Sequence, residues 1–181
     1  TRWMTERVPM PPGIQLVMFI PDFVGKTSDA RDVLKNDVTR EDAAYNISRA
    51  AFLVHALCHG QLDNLKYGVQ DRMHQPQRGA KLYTYLYPMI EAAEQAGACC
   101  AYLSGAGPTV MALTSGASGD IFTQREKERT DWAVANAMIQ AGEEVGIKGK
   151  LLVTQVAHEG AKVIRADPPF SSGNIHFRDD I

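Results

Sequence analysis

The sequence predicts an α+β domain: an antiparallel sheet covered by helices. Three observations predict it. Short apolar runs suited to strands stand at 14–20, 99–103, 110–113, 150–156 and 161–164. Longer stretches between them carry apolar residues every three or four positions, the spacing of one helical face. Strands and helices do not alternate one for one, which disfavours a doubly wound parallel sheet. The predicted order is strand, three helices, two strands, one helix, two strands.

The lead-in Pro9-Met10-Pro11-Pro12-Gly13 is stiff and non-helical. Residues 14–20 follow as a buried strand, ended by Pro21-Asp22. Residues 23–34 read as a polar loop with Lys26, Thr27, Ser28, Asp29 and Arg31 close together. Such a loop is either a solvated connection or a place for ligand contacts. Thr39 reads as the N-cap of a helix, with acidic Asp42 three residues on. Its apolar stripe is Ala43, Ile47, Ala50, Val54 and Leu57, and Gly60 stops it. His55 and His59 are one helical turn apart, which is also a metal spacing, but no third ligand matches them and no metal site is assigned. Asn46-Ile47-Ser48 matches a glycosylation acceptor, yet lies mid-helix and is set aside.

Leu62, Leu65 and Val69 predict a shorter helix reaching Met73. In the block 71–81, Pro76 is expected to break the helix and Gly79 to free the chain. Arg72, His74, Arg78 and Lys81 are concentrated there. They form either a basic surface corner or an anion site, since a planar guanidinium holds a carboxylate or phosphate with two parallel hydrogen bonds. Leu86, Met89, Ile90, Ala93 and Ala96 make the next helical stripe, closed by Gly97. Two strands then flank Leu103-Ser104-Gly105-Ala106-Gly107-Pro108-Thr109. By spacing alone this is a tight hairpin turn. Its two glycines also allow close approach of a ligand or a second loop. A flexible connection at 115–120 leads to a long helix over 123–145, with Trp132, Ala135, Met138, Gly142 and Val145 on one side. Two strands at 150–156 and 161–164 follow, with a turn at Glu159-Gly160 and a loosely structured tail from Pro168 onward.

The 181 residues are 45% apolar and 22% charged, enough for one domain with a buried core. The formal charge of −2 shows no basic excess, which argues against nucleic acid as a partner. No apolar run is long enough to cross a bilayer, so no membrane partner is expected, and no secretory signal pattern opens the chain. The three cysteines, Cys58, Cys99 and Cys100, have no zinc spacing and read as reduced, mostly buried thiols of a cytosolic protein. The chain opens on Thr1 without an initiator Met, as expected of a piece of a longer protein.

The glycine-rich heptad resembles the third signature of the GHMP small-molecule kinases. Within that group, four blocks resemble homoserine kinases, in order and at matching separations: residues 22–34, 42–50, 71–78 and 102–109. The resemblance implies a ferredoxin-like C-terminal domain, with residues 1–13 as a linker from an N-terminal domain, 14–166 as the GHMP domain and 167–181 as a tail. It implies transfer of the γ-phosphoryl of ATP to the side-chain hydroxyl of L-homoserine, giving O-phospho-L-homoserine for threonine biosynthesis. It implies ATP and Mg²⁺, bound mainly by the N-terminal half that bears a Pro-x-x-x-Gly-Leu-Gly-Ser-Ser loop. This sequence contains no such loop, so the chain alone is expected to be inactive. The N-terminal domain is expected in the same or a companion chain, and a homodimer is compatible with the resemblance. By the same resemblance Arg31 and Arg78 bind the substrate. Ser104, Gly105, Ala106, Gly107, Pro108 and Thr109 form the floor near the phosphate. No catalytic base is assigned; His74 is given a packing or orienting role. A cytoplasmic location is implied, with an organelle transit peptide ahead of this sequence left open. The alternatives are a mevalonate-type or other GHMP kinase, a non-catalytic GHMP-like binding or sensor protein, and a stand-alone ferredoxin-like binding domain.

Overall fold

The computed structural model of the chain describes residues 4–115, 121–157, 159 and 160. Strand β1 (Gln15–Pro21) is apolar at nearly every position because it lies inside the sheet and meets neighbours on both sides. β2 (Cys100–Leu103), β3 (Val110–Thr114) and β4 (Gly149–Gln155) complete a four-stranded sheet in the order β2-β3-β1-β4. Every neighbouring pair is antiparallel. Val17 sits opposite Ala112 on one side and Val153 on the other.

The helices are α1 (Thr27–Asp32), α2 (Arg40–Cys58), α3 (Leu65–Gly68), α4 (Gln75–Lys81), α5 (Leu86–Gln95) and α6 (Ile121–Glu144). A 3-10 turn, Leu62–Asn64, runs into α3. With α5 as the crossover from β1 and α6 as the crossover from β3, the chain traces the ferredoxin-like β-α-β-β-α-β pattern. The expected α+β class with an antiparallel sheet is therefore what forms. Helices α1 to α4 are all inserted between β1 and α5.

The pleat sorts the core into two clusters. Val17, Phe19, Ala101, Leu103, Val110 and Ala112 bury against Leu86, Met89 and Ala93 of α5 and Val134, Ala135 and Met138 of α6. The opposite cluster packs Cys100 and Leu113 against Ala56 of α2 and Leu65 of α3. Gly68 is buried at that contact: a Cβ there would lie 2.7 Å from the Leu53 backbone, so only glycine lets α2 and α3 approach this closely.

Several expectations are corrected. Residues 23–34 are not only loop, because α1 forms within them. The Thr39 cap is as expected, its hydroxyl accepting from the Asp42 N–H at 3.0 Å. The α2 stripe holds only in part: Leu57 packs in the core, but Ile47 is 71% and Val54 45% exposed, and Leu53 and Ala56 face the domain. The helix expected to reach Met73 shrinks to the 3-10 turn and the single turn of α3. Pro76 does not break a helix. It stands in the first turn of α4, where its missing N–H leaves no hydrogen bond unmade. On α6 the expected Ala135, Met138 and Gly142 are buried, together with Val134 and Ala141, but Trp132 is 58% exposed, and Val145, just past the helix, is also exposed. Cys58 is exposed, against the expectation of mostly buried thiols. The strand expected at 161–164 and the tail from Pro168 lie outside the described residues.

Candidate functional site

The four inserted helices and the β2–β3 loop enclose a cleft of about 560 Å³. Arg31 enters it from α1, Arg49 from α2 and Arg78 from α4, while Gly105 and Ala106 come from the loop. The two arginines singled out in the sequence therefore share one cleft with part of the glycine-rich loop. Ser104, Gly107, Pro108 and Thr109 are not among its lining residues.

The loop is closed by two hydrogen bonds of its own. Ser104 N–H donates to the Thr109 carbonyl and Gly107 N–H to the Ser104 carbonyl, each at 2.9 Å. Gly105 and Gly107 have φ of +56° and +87°, a region L side chains rarely adopt. Their surroundings differ. A Cβ on Gly107 would stand 2.5 Å from the Tyr83 ring, whereas one on Gly105 would meet nothing within 4 Å. Three side chains hold the loop's carbonyls. Tyr83 Oη donates to Ala106 at 3.1 Å, Tyr85 Oη to Pro108 at 2.6 Å, and Arg78 Nη1 to Gly105 at 3.0 Å. Burial pushes both phenols above their ordinary values, on Tyr83 against the pull of Arg78, so both remain protonated donors. Among the described residues the N–H groups of Gly105 and Ala106 have no protein acceptor. They are oriented donors on a fixed backbone, suited to an anion.

Arg78 has a framework role. Its Nε donates to the Ala30 carbonyl at 3.0 Å, so one guanidinium ties α4 to α1 beside Arg31 and to the glycine loop. Among the described residues its Nη2 group has no hydrogen-bond partner. Asp71 organises the segment entering α4. Its carboxylate accepts from Asn46 Nδ2 and from the N–H groups of Met73, His74 and Gln75. Burial pushes this carboxyl up. The hydrogen bonds from Asn46, Gln75, Met73 and His74 together outweigh it and hold the pKa at about 2. His74 Nδ1 lies 3.3 Å from the same carboxylate, consistent with an orienting role. Gln75 then joins α4 to the sheet, accepting from Leu103 N–H at 2.8 Å and donating to the Val69 carbonyl at 3.1 Å.

The charge balance of the cleft is one-sided. Among the described residues Arg31, Arg49 and Arg78 have no carboxylate partner. The one acidic lining residue, Asp71, spends its oxygens on four protein donors. Three guanidinium groups without a carboxylate partner among the described residues, beside two open backbone donors, have the chemistry to hold an anion, in a chain whose formal charge is −2. Among the described residues no group of three His, Cys, Asp or Glu is placed to hold a metal ion.

Sequence reasoning gave no role to Arg49 or Asn46. Both lie on α2 at i and i+3, and with Leu53 and Ala56 they form the face turned to the domain. The signal was present as a second stripe whose first half is polar. The neighbouring apolar stripe, of which Ala50 lines the cleft and Leu57 packs in the core while Ile47 and Val54 are exposed, hid it.

The sequence model described as GHMP kinases C terminal matches residues 53–142. A homoserine kinase from Desulfitobacterium hafniense is 38% identical over 153 residues, covering 84% of this chain and 47% of that protein. The crystal structure of homoserine kinase from Cytophaga hutchinsonii superposes with a TM-score of 0.75 at 23% identity, over 88% of this chain and 47% of that one. A Streptococcus pneumoniae phosphomevalonate kinase in complex with phosphomevalonate and AMPPNP superposes with a TM-score of 0.60 at 15% identity, over 83% and 42%. These two likenesses show the fold and do not choose the acceptor. The chain spans about half the length of the curated relatives it matches. It belongs to the GHMP kinase family, of which it carries the C-terminal domain.

Proposed function

We propose that the full-length protein bearing this chain is a homoserine kinase, and that this chain supplies the acceptor side. The reaction moves the γ-phosphoryl of ATP to the side-chain hydroxyl of L-homoserine, a step of threonine biosynthesis in the cytoplasm. The observation that carries the reading is the shared cleft. Arg31 and Arg78 line it together with Gly105 and Ala106, whose N–H groups are open, and among the described residues no carboxylate pairs with either arginine. The arginines suit the carboxylate of an amino acid, and the loop suits a phosphate placed next to it. The homoserine kinases among the relatives support the choice of acceptor.

ATP would supply the phosphoryl group, with its phosphate end at the loop donors. A Mg²⁺ site does not fit this cleft, because the carboxylate of Asp71 is fully engaged with protein donors. The ion and most of the nucleotide are assigned to an N-terminal half. The exposed apolar residues Ile47 and Val54 on α2, with Ile20 and Leu152 on the sheet, support such a packing partner.

The test is a coupled assay with ATP and homoserine, run on the full-length protein and on this chain alone. Turnover is expected only for the former. Arg78→Lys keeps the charge and loses the fork, and is expected to raise KM for homoserine roughly 30-fold, about 2 kcal/mol. Turnover by the chain alone, or an unchanged KM, overturns the corresponding assignment.

A further inference from the structure

We infer that Arg49 is a third acceptor-binding arginine, a specificity residue that reads the carboxylate of the phosphoryl acceptor. The inference rests on reading the cleft as the acceptor site. Arg49 Nε is buried without a hydrogen-bond partner. Its Nη1 reaches the Tyr67 carbonyl only at 3.5 Å, the outer limit of such a bond. Its Cζ stacks 4.7 Å from the centroid of the Tyr45 ring.

Arg72 is the internal control. It stacks on the same ring at 4.0 Å, yet it pairs with Glu41 at 3.1 Å and with Asp42 at 3.7 Å. One tyrosine thus serves two guanidinium groups. One has two carboxylates, and the other lines a cleft that offers it none.

Among the described residues no other acceptor bonds Arg49. Asn46 donates to Asp71 and accepts from the Arg72 N–H, the Asp71 carboxylate takes four protein donors, and the Tyr45 hydroxyl donates to Gln70 at 2.6 Å. An under-bonded guanidinium in a partly buried wall is costly unless a ligand supplies the acceptor. Arg78 is fixed at the glycine loop and Arg49 at α3, so a small anion between them meets a cation on each side. The chemical class this selects is an alcohol that carries a carboxylate, as an amino acid does, over a neutral or purely cationic alcohol.

The experiment compares two acceptors on the full-length protein. L-Homoserine carries the carboxylate; 3-aminopropan-1-ol has the same alcohol and amine without it. The second is measured as a substrate or, where turnover is slow, as a competitive inhibitor. Arg49→Met is expected to raise KM for homoserine roughly 30-fold, with kcat and the KM for ATP changed less than about threefold. The constant for aminopropanol is expected to stay put, so the preference for the carboxylate falls by the same factor.

Equal losses for both acceptors, or an unchanged KM for homoserine, overturn the inference while the homoserine kinase reading stands. Absence of homoserine turnover by the unmodified protein overturns that reading, and this inference with it. If Arg49→Met does not fold, Arg49→Lys decides: it keeps the charge and must still raise KM for homoserine alone.

Discussion

The two faces of the sheet are built from the same strands by opposite rules. Toward α5 and α6 the contacts are apolar apart from the buried hydrogen bond that Thr114 of β3 donates to Asp131 of α6, and Val17, Leu86, Met89, Val134 and Met138 are fully buried. Toward α2 and α3, the apolar cluster is small, Leu152 is 46% exposed, and a cleft with three arginines opens beside it. The comparison teaches a division of labour within one sheet. The closed face supplies most of the hydrophobic stabilisation, and the open face carries charge that would be costly in a closed one.

The division can be broken hardest on the closed face. Met138→Ala removes a fully buried side chain between α6 and the sheet. It should cost about 2–5 kcal/mol in urea unfolding. A loss below 1 kcal/mol would mean that this face is not the core.

Next comes the framework of the cleft. Asp71→Asn leaves two backbone N–H groups facing an amide NH₂ and should cost roughly 2 kcal/mol near neutral pH. The ordinary value of this carboxyl, 3.8, falls to about 2 on folding. A depressed folded value stabilises above pH ~4 and loses that contribution as the pH falls from there through about 2. The gap between the unmodified chain and Asp71→Asn should therefore close over that window in acid unfolding curves. A constant gap would assign the effect to packing rather than charge. The smallest effect belongs to α2's outer side. Ile47→Ser, at a position 71% exposed, should change the stability of this chain by less than about 0.5 kcal/mol. The same change in the full-length protein should be larger if an N-terminal half covers this stripe.

What could be read from the sequence follows the same division. The strands, α5 and the hairpin were legible because their residues bury against the chain's own core, where periodicity reports burial. On α2 periodicity marked an apolar stripe correctly and its partner wrongly. Ile47 and Val54 face outward, while Asn46 and Arg49 face in. No hydropathy pattern marks a polar inward face. On α6 the spacing finds the buried Ala135 and Met138 but also includes Trp132, which stands at the edge of that stripe and is exposed. Pro76 was read as a breaker because spacing cannot tell the first turn of a helix from its middle. Arg31 and Arg78 were named through resemblance to a family. Their meeting in one cleft depends on α1 and α4, neither of which the sequence announced.

The bonds Arg78 makes to the Ala30 and Gly105 carbonyls bear on any attempt to redesign the acceptor. If Arg78 binds the acceptor as proposed, it cannot be exchanged for a new specificity without releasing the two distant segments it holds in register. Among the described residues Arg31 has no side-chain framework bond, and Arg49 has only its long bond to the Tyr67 carbonyl and its stacking on Tyr45. A programme to retarget this domain toward uncharged alcohols would begin by varying those two positions in combination, with Arg78 left as the fixed background.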